Sequence, residues 1–221
     1  MDKNVIRNRL GQLRWRSVTI ATLAALFTTS NLASAAEEPD PATTAYAQRL
    51  ATAVCGTCHG PRGNSEQPKF PRLAAQNANY LVAQLKNFRG QTRGDPDAIG
   101  YMWGMASELT DETIDALGKY YSAQHVLSQR GRQSPEISKG KEIYEHGVES
   151  EGVPACAGCH GPDAHGMGDF PRLAGQHAQY VLKQLSSFQS NMRNVAVMHG
   201  VAQNLRLPEM SAVAAYLEAQ P

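Results

Sequence analysis

Apolar residues recur every three to four positions through much of the chain beyond residue 40, a pattern typical of amphipathic helices. Asp40 and Pro41 form a helix start signal, because aspartate caps free backbone N–H groups and proline suits the first helical position. The helix that they begin carries Tyr46, Leu50 and Val54 at four-residue spacing. No convincing alternation of apolar and polar residues is found, so the predicted fold class is all-α.

Two further helices are predicted in the same half of the chain. The apolar face of the second helix is made of Tyr80, Leu81, Leu85 and Phe88. The third helix is predicted to start at Thr110, because Asp111 and Glu112 suit the positive end of a helix dipole. Its predicted buried residues are Ile114, Leu117 and Tyr121.

The whole pattern occurs twice. The segment CGTCHGPRGNSEQPKFPRLAAQNANYLVAQLKNF aligns with CAGCHGPDAHGMGDFPRLAGQHAQYVLKQLSSF, which begins 101 residues later. Polar and apolar residues stay in register at Gln76/Gln176, Tyr80/Tyr180, Gln84/Gln184, Leu85/Leu185 and Phe88/Phe188. An internal repeat defines the architecture before individual elements do, and two copies indicate paired domains.

Equivalent helices are therefore predicted in the second copy. The first of them is expected to open at Ser138 and to carry Ile143 and Tyr144. The second has its apolar face at Tyr180, Val181, Leu185 and Phe188. The last begins at Pro208–Glu209 and uses Met210, Val213 and Leu217. We assign residues 36–130 and 131–221 to the two domains, which are joined by the polar stretch 129–136.

The first 35 residues differ from the rest. Five basic residues, ending at Arg16, precede an apolar run from Val18 to Phe27, and small residues follow at positions 33–35. This order predicts a secretory signal peptide over residues 1–35, cleaved after Ala35. A membrane anchor is the alternative, but the apolar run is much shorter than the ~20 residues that span a bilayer. The mature protein is thus expected to be exported and not to span a membrane.

Charge argues against a nucleic-acid partner. The whole chain has 21 Lys+Arg and 20 Asp+Glu, and removal of residues 1–35 deletes five basic residues and one acidic residue. The mature chain therefore keeps 16 basic and 19 acidic residues, a formal charge of −3. Nucleic-acid binders show a basic patch or stripe, and this chain has none.

Four cysteines form two CxxCH motifs. The thiols are Cys55, Cys58, Cys156 and Cys159, and the histidines that follow the two pairs are His59 and His160. In exported proteins an even number of cysteines usually indicates disulfides, but CxxCH is the attachment motif of c-type haem. Zinc sites commonly space two CxxC pairs about 15–20 residues apart, whereas 97 residues separate Cys58 from Cys156. We therefore predict two covalent haem c groups, with iron ligated by His59 and His160.

The sixth iron ligand decides between electron transfer and chemistry at an open iron. Five histidines lie outside the CxxCH motifs and have no histidine at the matching position of the other copy: His125, His146, His165, His177 and His199. Met105, Met192 and Met210 have no methionine counterpart, and we interpret them as apolar filler. Met102 and Met198 align with each other. The repeat therefore favours Met102 and Met198 as the iron ligands.

The CxxCHGP motifs, the FPRLA and GQHAQY blocks and the late methionines resemble the dihaem cytochromes of the c4 type, over essentially residues 40–221. This resemblance implies two class I cytochrome c domains related by a pseudo-twofold axis, with haem propionates near one another at the interface. It also implies that the carbonyl groups of Pro71 and Pro171 hold the ligand histidines. A proline in a plain loop turn is the alternative.

The resemblance further implies a soluble periplasmic electron carrier rather than an enzyme. Its electrons would come from a quinol-oxidising complex or a dehydrogenase and pass to a membrane terminal oxidase, often of the cbb3 type. A dihaem subunit of a dehydrogenase complex, such as a flavin-linked sulfide dehydrogenase, is the second hypothesis, because its chain would look much the same. A dihaem peroxidase is the third, and the paired Met102 and Met198 argue against it.

Overall fold

Helices make up nearly all the regular structure in the computed structural model, which describes residues 39–127 and 134–221. The predicted signal peptide and residues 129–133 of the predicted joint lie outside the described residues. Within the described ranges there is no strand, only an isolated bridge between Val148 and Val153. The all-α prediction is confirmed. Neither range contains a helix long and apolar enough to cross a bilayer.

The described part of the first repeat, residues 39–127, forms five α-helices. They are α1 Pro41–Leu50, α2 Gly56–His59, α3 Ala78–Arg89, α4 Trp103–Ala106 and α5 Asp111–Ser122. A 3₁₀ turn follows α2 at Pro61–Gly63. Two π-helical segments, Ala51–Cys55 and Ala98–Met102, lead into α2 and α4. Such segments are rare and are frequent at functional sites, and these two end at a predicted haem cysteine and at a predicted iron ligand.

The second repeat has the same order of helices. They are α6 Pro135–His146, α7 Ala157–His160, α8 Ala178–Gln189, α9 Ala196–Ala202 and α10 Leu207–Ala219. A 3₁₀ turn lies between α6 and α7 at Glu149–Glu151. In each repeat the first and last long helices pack together, α1 on α5 and α6 on α10. The two repeats form one compact unit.

The predicted helix starts of the first repeat are correct. Asp40 caps α1 by accepting the backbone N–H of Ala42 at 2.8 Å, and Pro41 is its first residue. Thr110 caps α5 by accepting the N–H of Thr113 at 3.2 Å. Both caps satisfy backbone donors that have no partner within the helix.

The starts predicted for the second repeat need correction. Helix α6 begins at Pro135 and is capped by Ser134, whereas Ser138 lies inside the helix. Ser134 and Pro135 form the same start signal as Asp40 and Pro41 in α1, a capping residue followed by proline. The sequence prediction overlooked this signal. Helix α10 begins at Leu207, one residue before the predicted start, and Glu209 accepts the backbone N–H of Arg206 at 2.9 Å.

The helical period of α1 did not show which of its sides is buried, and the interpretation of Met105 and Met192 as apolar filler is wrong. In α1 and the π-helical segment that follows it, the buried residues are Ala47 and Ala51. Tyr46 is 47% exposed and Val54 is 38% exposed. Small residues face α5 because the two helices approach closely, so the large residues at neighbouring positions turn outward. Met105 and Met192 are also exposed and do not fill the core, in contrast to the buried Met210. The buried residues predicted for α5 and α10 are all buried.

The close contact between α6 and α10 depends on Gly140. A Cβ atom at this position would lie 1.9 Å from the carbonyl oxygen of Ala212. We expect Gly140→Ala to force the helices apart and to lower the free energy of unfolding of the second repeat by about 1–3 kcal/mol or more. Denaturant unfolding measures this loss. Gly200→Ala in α9 is the control, because no heavy atom lies within 4 Å of its added Cβ, and an equal loss there would contradict the argument.

Candidate haem sites

Both CxxCH motifs begin in a helical turn. Cys55 ends the first π-helical segment, Cys58 lies in α2, and Cys159 lies in α7 with Cys156 immediately before it. All four cysteines are free thiols and half-buried. No disulfide therefore competes for them, and each pair lies beside the histidine that ends its helix.

The two histidines have the same environment. His59 and His160 are each 7% exposed. The Nδ1 atom of His59 lies 2.9 Å from the carbonyl oxygen of Pro71, and that of His160 lies 3.0 Å from the oxygen of Pro171. Since a carbonyl only accepts, Nδ1 carries the proton and Nε2 keeps its lone pair for a metal ion. Burial lowers the pKa of both histidines, although the carbonyl contact opposes this, and the neutral ring is the form that ligates.

A phenylalanine supports each histidine ring. Phe70 meets the His59 ring edge-on at 6.2 Å between centroids, and Phe170 meets the His160 ring at 6.1 Å. Each phenylalanine directly precedes the proline whose carbonyl holds the histidine. The FPRLA block thus fixes the ring from two sides in each repeat, through the phenylalanine side chain and the proline carbonyl.

The thiols do not fit the competing uses of CxxC. Burial raises the pKa of Cys55, and it raises the pKa of Cys156 to about 11. Reactive dithiols have a lowered thiol pKa, so Cys55 and Cys156 are unsuited to be the attacking thiol in disulfide exchange. Zinc needs about four ligands, and in residues 39–127 and 134–221 no three His, Cys, Asp or Glu side chains are grouped to hold a metal ion.

Met102 and Met198 are both half-buried and pack against apolar clusters of their own repeats. The residue after each methionine is tied to a backbone carbonyl: Trp103 Nε1 donates to Arg93 at 2.8 Å, and His199 Nδ1 lies 2.8 Å from the oxygen of Phe188. Each copy therefore ties its methionine segment to a backbone carbonyl, although neither the side chain nor the position of the carbonyl is the same in the two copies. Met105, the rival of Met102, is 48% exposed.

Of the histidines without a counterpart, His177 is the most buried, at 3% exposed. Its Nε2 lies 2.9 Å from the carbonyl oxygen of Ser65 in the other repeat, and its Nδ1 lies 3.5 Å from Glu218. Both ring nitrogens thus have protein partners, so His177 is part of the contact between the repeats.

A pair of buried arginines crosses the contact between the repeats. Arg93 donates through Nε to Asp95 at 2.6 Å, whereas Arg193 has Val195 at the matching position and its Nε has no partner among the described residues. The oxygen of Gln84 accepts from both guanidinium groups at 2.9 Å. Arg93 thus has a bonded carboxylate and Arg193 has none among the described residues, which leaves a buried excess of positive charge and an orphaned donor.

This arginine pair is suited to receive further carboxylates. A cavity of about 430 Å³ lies beside it, lined in part by Asn87, Thr92 and Asn194. Guanidinium groups bind carboxylates through paired N–H donors, with more energy than neutral donors provide. Sequence reasoning missed both arginines, although polar residues kept in register across the repeats were a usable signal.

Comparison with known proteins agrees with this geometry. The Cytochrome c family model matches the chain twice, at residues 44–122 and 137–220. Cytochrome c4 from Stutzerimonas stutzeri is 38% identical over 178 residues, which cover 75% of this chain and 84% of that protein. The chain belongs to the dihaem cytochromes c4. A solved cytochrome c4 structure from Acidithiobacillus ferrooxidans matches with a TM-score of 0.72 at 40% identity, covering 76% of this chain and 99% of that one.

A further relative is named for a different role. The thiosulfate dehydrogenase electron acceptor of Thiomonas intermedia is 33% identical over 216 residues, covering 93% of this chain and 91% of that protein. Membership of the c4 family shows that this chain is a dihaem electron-transfer cytochrome with two covalently bound haem c groups. The free thiols, the histidines with an available Nε2 and the arginine pair with its unpartnered donor fit that cofactor.

Proposed function

We propose that the chain is a periplasmic electron carrier in which His59 and Met102 ligate one haem iron and His160 and Met198 ligate the other. The observation that carries this proposal is the matched set of contacts in the two repeats. Each copy has a buried histidine with Nδ1 bound to a proline carbonyl, and a packed methionine whose neighbour is anchored to the backbone. Cys55, Cys58, Cys156 and Cys159 form the thioether bonds.

Each haem supplies a one-electron Fe(III)/Fe(II) couple, and the chain supplies the environment. The proline carbonyls hold the histidine rings in one orientation and tautomer, so the ligands need not move when the charge of the iron changes. The methionines close the second face to water and substrate, which favours electron transfer over peroxidase chemistry. Arg93 and Arg193 offer their donors to haem carboxylates.

The proposed acceptor is a membrane terminal oxidase, such as one of the cbb3 type, and the donor is a quinol-oxidising complex or a dehydrogenase. The paired repeats support a carrier, because two closed haem sites can take and pass electrons one at a time without substrate chemistry. Export by the predicted signal peptide would place the protein in the periplasm beside such partners.

A second role has a specific observation in its favour. The full-length match to a thiosulfate dehydrogenase electron acceptor supports a dedicated acceptor for a dehydrogenase of sulfur compounds. This belongs to the same class as the dehydrogenase-subunit hypothesis raised by the sequence, with a different enzyme as donor. Both roles need the same closed, methionine-ligated irons.

The test mixes the holoprotein with each candidate partner, in the reduced form for the oxidase and in the oxidised form for the dehydrogenase. Oxidase-containing membranes should take up oxygen faster when the reduced protein is added. The added protein should become oxidised in the same reaction. Reduction by thiosulfate with its dehydrogenase, and no response from the oxidase, would favour the second role. If half of the iron is high-spin at neutral pH in the protein alone, the carrier proposal is wrong and a peroxidase becomes the better hypothesis.

A further inference from the structure

One peptide group connects the first ligand histidine to the opposite repeat. The carbonyl oxygen of Pro71 accepts from His59 Nδ1 at 2.9 Å. The N–H of the same peptide group belongs to Arg72, and it donates to Oε1 of Gln176 at 2.9 Å. The two ends of a single amide are therefore bonded to a histidine of one repeat and a glutamine of the other.

The same connection exists with the roles of the two repeats exchanged, so that the histidine is in the second repeat and the glutamine in the first. The oxygen of Pro171 lies 3.0 Å from His160 Nδ1, and the N–H of Arg172 donates to Oε1 of Gln76 at 2.8 Å. Each glutamine thus reaches the peptide that holds the histidine of the other copy. Such reciprocal contacts are what a pseudo-twofold axis produces.

The orientation of both glutamine amides is fixed by their surroundings. Gln176 Oε1 also accepts the backbone N–H of His177 at 3.1 Å, while its Nε2 donates to the carbonyl of Arg72 at 3.0 Å. Gln76 makes the corresponding contacts with the N–H of Asn77 and the carbonyl of Arg172, both at 2.9 Å. Only an oxygen can face two N–H donors, so the amides cannot be turned over.

The contact is buried and closely packed. Gln76 is 6% exposed and Gln176 is 7% exposed. The cavity left between the two backbone segments and these side chains has a volume of about 10 Å³, which is at the lower limit for one water molecule. Arg72 reinforces the contact by donating from its guanidinium group to the carbonyl of Gly175. Hydrogen bonds in such a low-dielectric place polarise one another.

We propose that Gln76 and Gln176 are positioning residues that tune the redox potential of the haem in the opposite repeat. The inference rests on the proposed ligation by His59 and His160. When Gln176 accepts the N–H of the peptide, negative charge moves to the Pro71 oxygen, and the bond from His59 Nδ1 becomes stronger. A stronger bond makes the imidazole a better electron donor, which stabilises ferric iron and lowers the potential.

The proposal makes a crossed prediction that a purely structural role would not. Gln176→Met keeps the length of the side chain and removes the acceptor. We expect the ratio of reduced to oxidised iron in the His59 haem to rise several-fold at a fixed applied potential, with a much smaller change in the His160 haem. A tenfold rise would equal 59 mV for a one-electron couple. Gln76→Met should show the mirror image.

The experiment is a redox titration of the holoprotein followed by NMR, in which the axial-methionine signals of the reduced haems are assigned with Met102→Ala and Met198→Ala. In Gln176→Met the Nδ1 proton of His59 should also move upfield, as expected for a weaker hydrogen bond. Gln176→Glu keeps an oxygen facing Arg72, so its His59 haem should titrate at or below the potential of the unmodified protein. If Gln176→Met folds poorly, the potential of the His59 haem in Gln176→Glu still tests the proposal.

The matched control is Asn79→Ala. Asn79 donates to Asp169 at 2.9 Å across the same contact. It is not bonded to either of the peptide groups that hold the ligand histidines, so both potentials should stay unchanged. Equal shifts of both haems in Gln176→Met, a shift confined to the His160 haem, or no shift would overturn the proposal. Failure of the proposed ligation is separate, because it would appear in the unmodified protein as the lack of two axial-methionine signal sets.

Discussion

Met102→Ala should remove half of the near-infrared methionine–iron band of the oxidised protein and markedly lower the potential of one haem. Methionine is a soft ligand that raises the potential, and water or a stray base in its place would favour ferric iron. Met102 packs against the apolar cluster of Phe88, Ala98 and Ala106, so its loss also opens the iron to solvent. Optical redox titration of the holoprotein measures both effects, and Met198, the proposed ligand of the other iron, should supply the half of the band that remains.

Met105→Ala is the matched control for this experiment. Because the Met105 side chain is 48% exposed, its truncation should cost little stability, well below the ~2–5 kcal/mol of a buried methionine, and should leave the band intact. Met105 lies on the same short segment, so it could slide into the vacancy left by Met102. The double variant Met102→Ala/Met105→Ala excludes that rescue. If the double variant keeps two methionine-ligated irons, the ligand lies elsewhere in the chain.

The repeat was the most informative feature of the sequence. The period of apolar residues predicted the all-α class and the doubled CxxCH motif predicted the two haem c groups, because both inferences need only the spacing of residues along the chain. The alignment of Met102 with Met198 likewise needed no coordinates, and the exposure of Met105 agrees with that choice.

Features that depend on how two surfaces meet could not be predicted. Tyr46 and Val54 fitted the helical period as well as Ala47 and Ala51 did, and only the close approach of α5 decides which side is buried. The polar residues at Gln76 and Gln176 were recognised as repeated, but their partners lie about 100 residues away in the chain. Periodicity within one helix carries no information on such contacts.

The buried arginines illustrate the same limit. Arg93 and Arg193 occupy matching positions, yet only Arg93 has a carboxylate two residues later. Burial alone would raise the pKa of Asp95, but the charge of Arg93 holds that pKa below its usual value. A charged pair that is 6% and 2% exposed cannot be told from a surface pair by sequence alone.

The second large effect concerns folding. Replacing Cys55 and Cys58 with alanine should prevent covalent haem attachment and cost the first repeat its helicity, about half of the helical circular dichroism. The two apolar clusters of this repeat contain nine buried residues, of which five are alanine. Burying ~500 Å² of apolar haem surface at ~25 cal/mol/Å² would contribute roughly 12 kcal/mol as an upper estimate. That is comparable with the ~5–15 kcal/mol net stability of a whole domain.

The second repeat should keep its helices in the same variant. Its cluster has fourteen buried apolar residues, and only four of them are alanine. Helices α6 and α10 therefore have a larger protein core than α1 and α5, in addition to their own haem. The mirror variant, Cys156→Ala/Cys159→Ala, should for that reason lose less helicity than the first. Full helical circular dichroism in Cys55→Ala/Cys58→Ala would show that the haem is not part of the first core, because only a core complete without it could keep those helices folded.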